Sequence, residues 1–141
     1  MDVKINVDEG VDDLQLNGLK LIQKQQGFRF GVDAVLLSHF ANIKSRHRVI
    51  DLCTGTGIVP FLAYGKYAPK EVIGLEIQED MVEMANRSSL LNDTTDVVKF
   101  VHGDLKDKAL IDSLGKFDVL TVNPPYKLNN AGIVNPNDKL A

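Results

Sequence analysis

Four short stretches put glycines, carboxylates or an amide directly behind an apolar run, where side chains can reach a ligand. The first is Asp51-Leu52-Cys53-Thr54-Gly55-Thr56-Gly57. Glycines in a strand-to-helix turn let a ligand approach bare backbone; a plain tight turn is the alternative. The second is Glu76, nineteen residues after Gly57. An acid near this spacing can accept hydrogen bonds from two ribose hydroxyls, and Ile77 beside it could lie against a purine face. The third is Asp104, in His102-Gly103-Asp104-Leu105. Its carboxylate can accept from an adenine amino group while Leu105 covers the ring. The fourth is Asn123-Pro124-Pro125-Tyr126, where the apolar run Val119 to Val122 stops on an amide, two prolines and a phenol. Neither proline has an N–H, so a strand cannot continue there as a hydrogen-bonded ladder.

The first three stretches together describe a site for adenosine. A dinucleotide fingerprint would need a third glycine three residues after the second, and that position is Pro60. The loop therefore suits an adenosine whose tail is uncharged or cationic rather than a pyrophosphate, and S-adenosyl-L-methionine fits. Cys53 is the only cysteine and has no histidine nearby in sequence, so it reads as a small packing residue rather than a nucleophile.

The elements that must position these residues follow from the apolar pattern. Arg48–Cys53, Glu71–Ile77, Val97–Asp104 and Phe117–Val122 read as short, buried strands. Between them, 58–66, 79–92 and 106–115 read as helices, with Pro60 tolerated in a first turn. In the 79–92 helix Met81, Met84, Ala85, Ser88 and Leu91 share a face, and Asn92 is placed to cap its end. Strands alternating with helices imply a parallel sheet, with ligands beyond the carboxyl ends of the strands. All four stretches lie at such ends. Upstream, a hairpin is expected near 19–23 and 27–30, then a helix over 32–41. Three regions result: a polar N-terminus at 1–18, expected to be partly flexible, a hairpin–helix segment at 19–47, and a cofactor domain at 48–141.

The 141 residues suffice for one small domain. With one cysteine there is no intrachain disulfide and no cysteine cluster for zinc, so no metal is expected. No apolar run is long enough for a membrane span and the acidic N-terminus is unlike a signal peptide, so a cytoplasmic protein without a membrane partner is expected. The net charge is −3, but residues 16–48 carry Lys20, Lys24, Arg29, Lys44, Arg46 and Arg48 against Asp33. These bases form either a solvated surface or a modest phosphate-facing patch.

"VIDLCTGTG", "EVIGLEI" and "VKFVHGDL" resemble the first three cofactor motifs of the class I, Rossmann-like methyltransferases, over about residues 48–126. Cys53 stands where that family often has glycine. The resemblance implies an α/β fold of seven strands, of which this chain supplies about four, so it looks like part of a longer protein whose activity alone is in question. It also implies that the fourth strand delivers Asn123-Pro124-Pro125-Tyr126 beside the methyl group. An exocyclic amino group on an aromatic ring is a poor nucleophile, because its lone pair is delocalised. The Asn123 side-chain oxygen and the Pro124 carbonyl can each accept one N–H and aim the lone pair, and the prolines hold the loop rigid. Pro125 continues that rigidity, and Tyr126 offers a flat face for stacking.

This tetrapeptide is the signature of methyltransferases acting on adenine N6, cytosine N4 or glutamine side chains. "LIQKQQGFRFGVDAVLLSHFA" resembles the segment before the cofactor domain in the bacterial tRNA1(Val) adenine-N6-methyltransferase family. That resemblance implies methylation of an adenosine beside the anticodon, with tRNA as partner. It also implies a part for Phe28, Phe30, Gly31, Asp33, Ala34, Leu36 and Leu37 in the cofactor pocket. Asp33 has two readings, facing the cofactor or capping its helix. The alternatives for function are glutamine-N5 methylation of a protein and a catalytically inactive nucleotide-binding half-domain.

Overall fold

The computed structural model describes residues 3–25 and 32–122. Four parallel strands form the central sheet: β3 (Arg48–Leu52), β4 (Glu71–Glu76), β5 (Val98–His102) and β6 (Val119–Val122), in the order β5-β4-β3-β6. An antiparallel hairpin of β1 (Glu9–Asp13) and β2 (Lys20–Lys24) precedes them. The helices are α1 (Val32–Phe40), α2 (Ile58–Tyr67), α3 (Glu79–Leu91) and α4 (Lys108–Ser113). Strands and helices alternate as the apolar pattern predicts, because the continuous runs of β3 and β4 are buried almost throughout.

The core gathers Phe61 and Leu62 of α2, Val82 and Ala85 of α3, Val98 and Phe100 of β5, and Leu21 of β2 into one cluster. Phe61 and Phe100 meet at 5.6 Å between ring centroids. At the opposite ends of the strands, Arg48 ties three segments together. It donates to Glu71 at 2.8 Å and to the carbonyls of Lys116 and Leu114, and its guanidinium lies 4.5 Å from the Phe117 ring centre.

The N-terminal part differs from expectation. The strand expected near 19–23 is present as β2, but its partner is Glu9–Asp13, inside the stretch expected to be flexible. The proposed partner at 27–30 lies outside the described residues. Besides its ladder with β2, β1 is held by a long-range contact. Arg87 of α3 donates to both oxygens of Glu9 at 2.7 Å, and the paired side chains are 11 % and 1 % exposed. This guanidinium holds the Glu9 carboxyl down at about 2. α3 also satisfies the backbone of β2: Ser88 accepts from Ile22 N–H, and Asn92 both accepts from and donates to the backbone of Lys20. Asn92 does end the helix, in right-handed conformation, with Asp93 after it taking the left-handed turn.

One smaller correction follows from burial. The core-facing stripe of α3 is Val82, Met84, Ala85, Ser88 and Ser89, leaving Met81 and Leu91 at its margins. Of the six bases read as either a solvated surface or a phosphate-facing patch, three are paired within the chain: Lys24 with Asp8, Lys20 with Asp13 and Arg48 with Glu71. Lys44 and Arg46 are exposed, and Arg29 lies outside the described residues. Among the described residues no helix is long and apolar enough to cross a membrane, and no group of three metal-ligating side chains comes together.

Candidate cofactor and catalytic site

The carboxyl ends of β3, β4 and β5 are laced into one surface. Behind β3 the chain turns sharply: Cys53, Gly55 and Gly57 all have positive φ, at 57°, 59° and 92°. Gly57 is required twice over. It opens α2 in a left-handed conformation, and a Cβ there would stand 2.6 Å from Phe100 Cζ. Cys53 occupies the same region of φ without being glycine, which gives a conformational reason for glycine at this position.

The turn is anchored on β4. Thr54 N–H donates to the Leu75 carbonyl at 3.0 Å, and Gly55 N–H donates to Glu76 Oε1 at 2.8 Å. Glu76 Oε2 accepts from Gln78 N–H at 3.0 Å. Glu76 is thus a buried carboxylate with each oxygen holding one backbone N–H. Each oxygen keeps a further lone pair for a ligand hydroxyl. The Glu76 carbonyl accepts from Gly103 N–H at 2.9 Å, which brings the Asp104 turn alongside. Asp104 and Leu105 are both half-buried, and Asp104 Oδ1 accepts from Lys106 N–H. Ile77 is 60 % exposed at the end of β4, and its carbonyl lies 3.0 Å from His102 Nε2. Thr54, Gly55, Gly57, Glu76, Ile77, Asp104 and Leu105 therefore sit on adjoining strand ends.

Asp51 is placed differently from a ligand-facing residue. It is fully buried, and both oxygens are taken by hydroxyls: Thr54 at 2.7 Å and Thr121 at 2.6 Å. Burial pushes its carboxyl up to about 7 against these two bonds, and the neighbouring Glu76 pushes the same way. Asp33 is exposed in the first turn of α1, where an acid complements the helix dipole. Asn123, Pro124, Pro125 and Tyr126 lie outside the described residues, as do Phe28, Phe30 and Gly31.

The electrostatic character is acidic. Burial raises the Cys53 thiol, and the charges of Glu76, Asp51 and Asp104 raise it further. The thiol is accordingly protonated and a poor nucleophile. Glu76 and Asp104 beside one glycine-rich turn disfavour a phosphate and favour a cationic ligand.

Sequence reasoning missed two residues here. Thr121 was readable as the one hydroxyl in the apolar run Val119–Val122. Met81 reaches the turn from α3: its Cε lies 4.0 Å from where a Cβ on Gly55 would stand. Its spacing only suggested a core stripe.

Several known proteins with similar chains are named as methyltransferases. A tRNA1(Val) (adenine(37)-N6)-methyltransferase of Bacteroides thetaiotaomicron is 32 % identical over 99 residues, covering 70 % of this chain and 40 % of that protein. A release factor glutamine methyltransferase of Clostridium acetobutylicum is 37 % identical over 98 residues, 67 % of this chain and 32 % of that one. The chain thus spans less than half the length of either relative. A dimethyladenosine transferase from Plasmodium falciparum superposes with a TM-score of 0.56 at 25 % identity, over 73 % of this chain and 35 % of that one. The family described as "Methyltransferase domain" matches residues 43–139, well over half of the sequence. With its parallel strands ending on a glycine turn, a buried glutamate and a third acidic turn, the chain belongs to this methyltransferase-domain family.

Proposed function

We propose that the protein transfers a methyl group from S-adenosyl-L-methionine to N6 of an adenine in RNA, in a tRNA next to the anticodon. One observation carries the cofactor reading: the buried Glu76 carboxylate holds the backbone N–H groups of Gly55 and Gln78 beside the glycine turn, and its carbonyl brings the Asp104 turn alongside. Such a site suits adenosine with a cationic sulfonium tail and repels a pyrophosphate.

When bound, the cofactor supplies an electrophilic methyl group. Glu76 takes the ribose hydroxyls with the lone pairs left by Gly55 and Gln78. Ile77 and Leu105 cover the adenine ring, and Asp104 accepts from its amino group. Gly55 and Gly57 keep the turn open to the ligand. Asn123 and the Pro124 carbonyl accept the two N–H groups of the target amine and direct its lone pair. Pro125 limits the freedom of that loop, and Tyr126 stacks on the target, worth ~1–3 kcal/mol for a base. No strong base is needed, since the nitrogen can lose its proton after transfer.

The RNA acceptor is supported by the adenine-N6 relative and by the N-terminal segment rather than by surface charge, because Lys20, Lys24 and Arg48 are engaged within the chain. A second reading, glutamine-N5 methylation, is supported by the glutamine methyltransferase relative. The experiment offers the full-length protein labelled S-adenosyl-L-methionine with unmodified tRNA, and separately with a release-factor substrate. Label in tRNA at adenine N6 supports the first reading. Label on glutamine alone replaces it with the second, and label on neither removes both.

A further inference from the structure

β6 is an edge strand of the described sheet. Leu120 and Val122 are exposed, Val119 is half-buried, and Thr121 is the only buried side chain of the strand. Val119 packs against the buried cluster of Ile43, Val49, Ala63 and Val72, so the amino half of the strand has an apolar seat and the carboxyl half does not. Among the described residues, the side-chain hydrogen bond that ties its carboxyl half to the sheet is that of Thr121 Oγ1, which donates to Asp51 Oδ1 at 2.6 Å. The two residues are register partners across the β3–β6 pair. The other oxygen of Asp51 accepts from Thr54 Oγ1 at 2.7 Å, inside the glycine turn. One buried carboxylate thus joins the turn expected to hold the methyl donor to the strand that leads, two residues later, into Asn123.

We propose that Thr121 and Asp51 are positioning residues for methyl transfer, a clamp that sets Asn123 relative to the cofactor turn. The proposal rests on the function stated above. Its physical basis is the sensitivity of a displacement to alignment. A shift of about 1 Å in a positioning element can cost on the order of a hundredfold in rate. The clamp acts at the step of transfer and leaves the groups that hold adenosine untouched, since Glu76 is anchored separately through Gly55 and Gln78.

The test compares wild type, Thr121→Val and Thr121→Ser in the full-length protein. Single-turnover methyl transfer is measured to whichever acceptor the wild type modifies, and S-adenosyl-L-methionine affinity is measured by calorimetry. Thr121→Val should slow transfer by about 10–100-fold, with cofactor affinity within about threefold of wild type. Thr121→Ser, which keeps the hydroxyl, should recover most of the rate. In hydrogen exchange, the peptide containing Asn123 should exchange faster in Thr121→Val than in Thr121→Ser. Should Thr121→Val fail to fold, the Asp51→Asn/Thr121→Val pair has no buried charge to leave unpaired and should show the same loss. Equal rates in wild type and Thr121→Val, or equal loss in Thr121→Ser, would overturn the clamp while leaving the methyltransferase reading intact. A wild type that methylates neither acceptor overturns that reading, and the catalytic role of the clamp with it.

Discussion

Replacing Asp51 with asparagine should make the protein's stability less dependent on pH, with a sign that burial dictates. In the unfolded chain this carboxyl titrates near 3.8, and in the folded protein it is pushed up to about 7. The native state therefore holds a proton that the unfolded state releases. This group's contribution to stability is fully present below pH 3.8 and is lost as pH rises to about 7, beyond which it is flat. A gap of roughly three pH units at about 1.4 kcal/mol each gives about 4 kcal/mol. Asparagine has no such proton to lose. It does replace an acceptor with an amide N–H facing a threonine hydroxyl, a pH-independent offset of about 1 kcal/mol. The quantity to follow is therefore the difference in unfolding free energy, Asp51→Asn minus wild type, from urea titrations by circular dichroism between pH 4.5 and 8. Groups common to both proteins cancel in that difference. It should rise steadily with pH and level off near pH 7. A flat difference, or one complete by pH 5, would mean that Asp51 ionises normally in the fold, and the buried-carboxyl account of the site would be wrong.

Glu76→Gln should weaken S-adenosyl-L-methionine binding by at least tenfold in calorimetry, because a hydrogen bond to a charged group contributes about 1.5–3 kcal/mol; unchanged affinity would remove Glu76 from the ribose site. Asn123→Ala should leave that affinity nearly unaltered and lower single-turnover methyl transfer on the order of a hundredfold, by analogy with loss of one preorganised polar partner; a wild-type rate would reduce the Asn123-Pro-Pro-Tyr126 stretch to a strand exit. Cys53→Val should cost at least 1–2 kcal/mol in chemical denaturation, because a β-branched side chain is poorly tolerated at a φ of 57°. Cys53→Gly should stay within about 1 kcal/mol of wild type, since the relief of that strain is offset by greater freedom in the unfolded chain.

The sheet and the glycine turn were legible in the sequence because their signals are local. Val49-Ile50 and Val72-Ile73 open short apolar runs that read as covered strands, and Gly55 and Gly57 mark a turn by their own backbone freedom. Glu76 and Asp104 followed from strand-end spacing, which a parallel sheet turns directly into proximity. β1 was not legible. Glu-Gly-Val-Asp-Asp has almost nothing apolar to bury, and it is held by its ladder with β2 and, through Glu9, by an arginine 78 residues away. The engagement of Lys20, Lys24 and Arg48 was hidden likewise, since a basic residue in sequence does not reveal its acid.

Asp51 marks the boundary most sharply. Its place at the end of a strand before a glycine turn suggested a group facing the cofactor. Only the packed structure gives it two threonine hydroxyls, one from its own turn and one from a strand 70 residues on, and removes it from water. Sequence determined which residues stand at the strand ends. The tertiary structure decided which of them face outward and which are enclosed, because desolvation depends on everything packed around a group rather than on its neighbours in the chain.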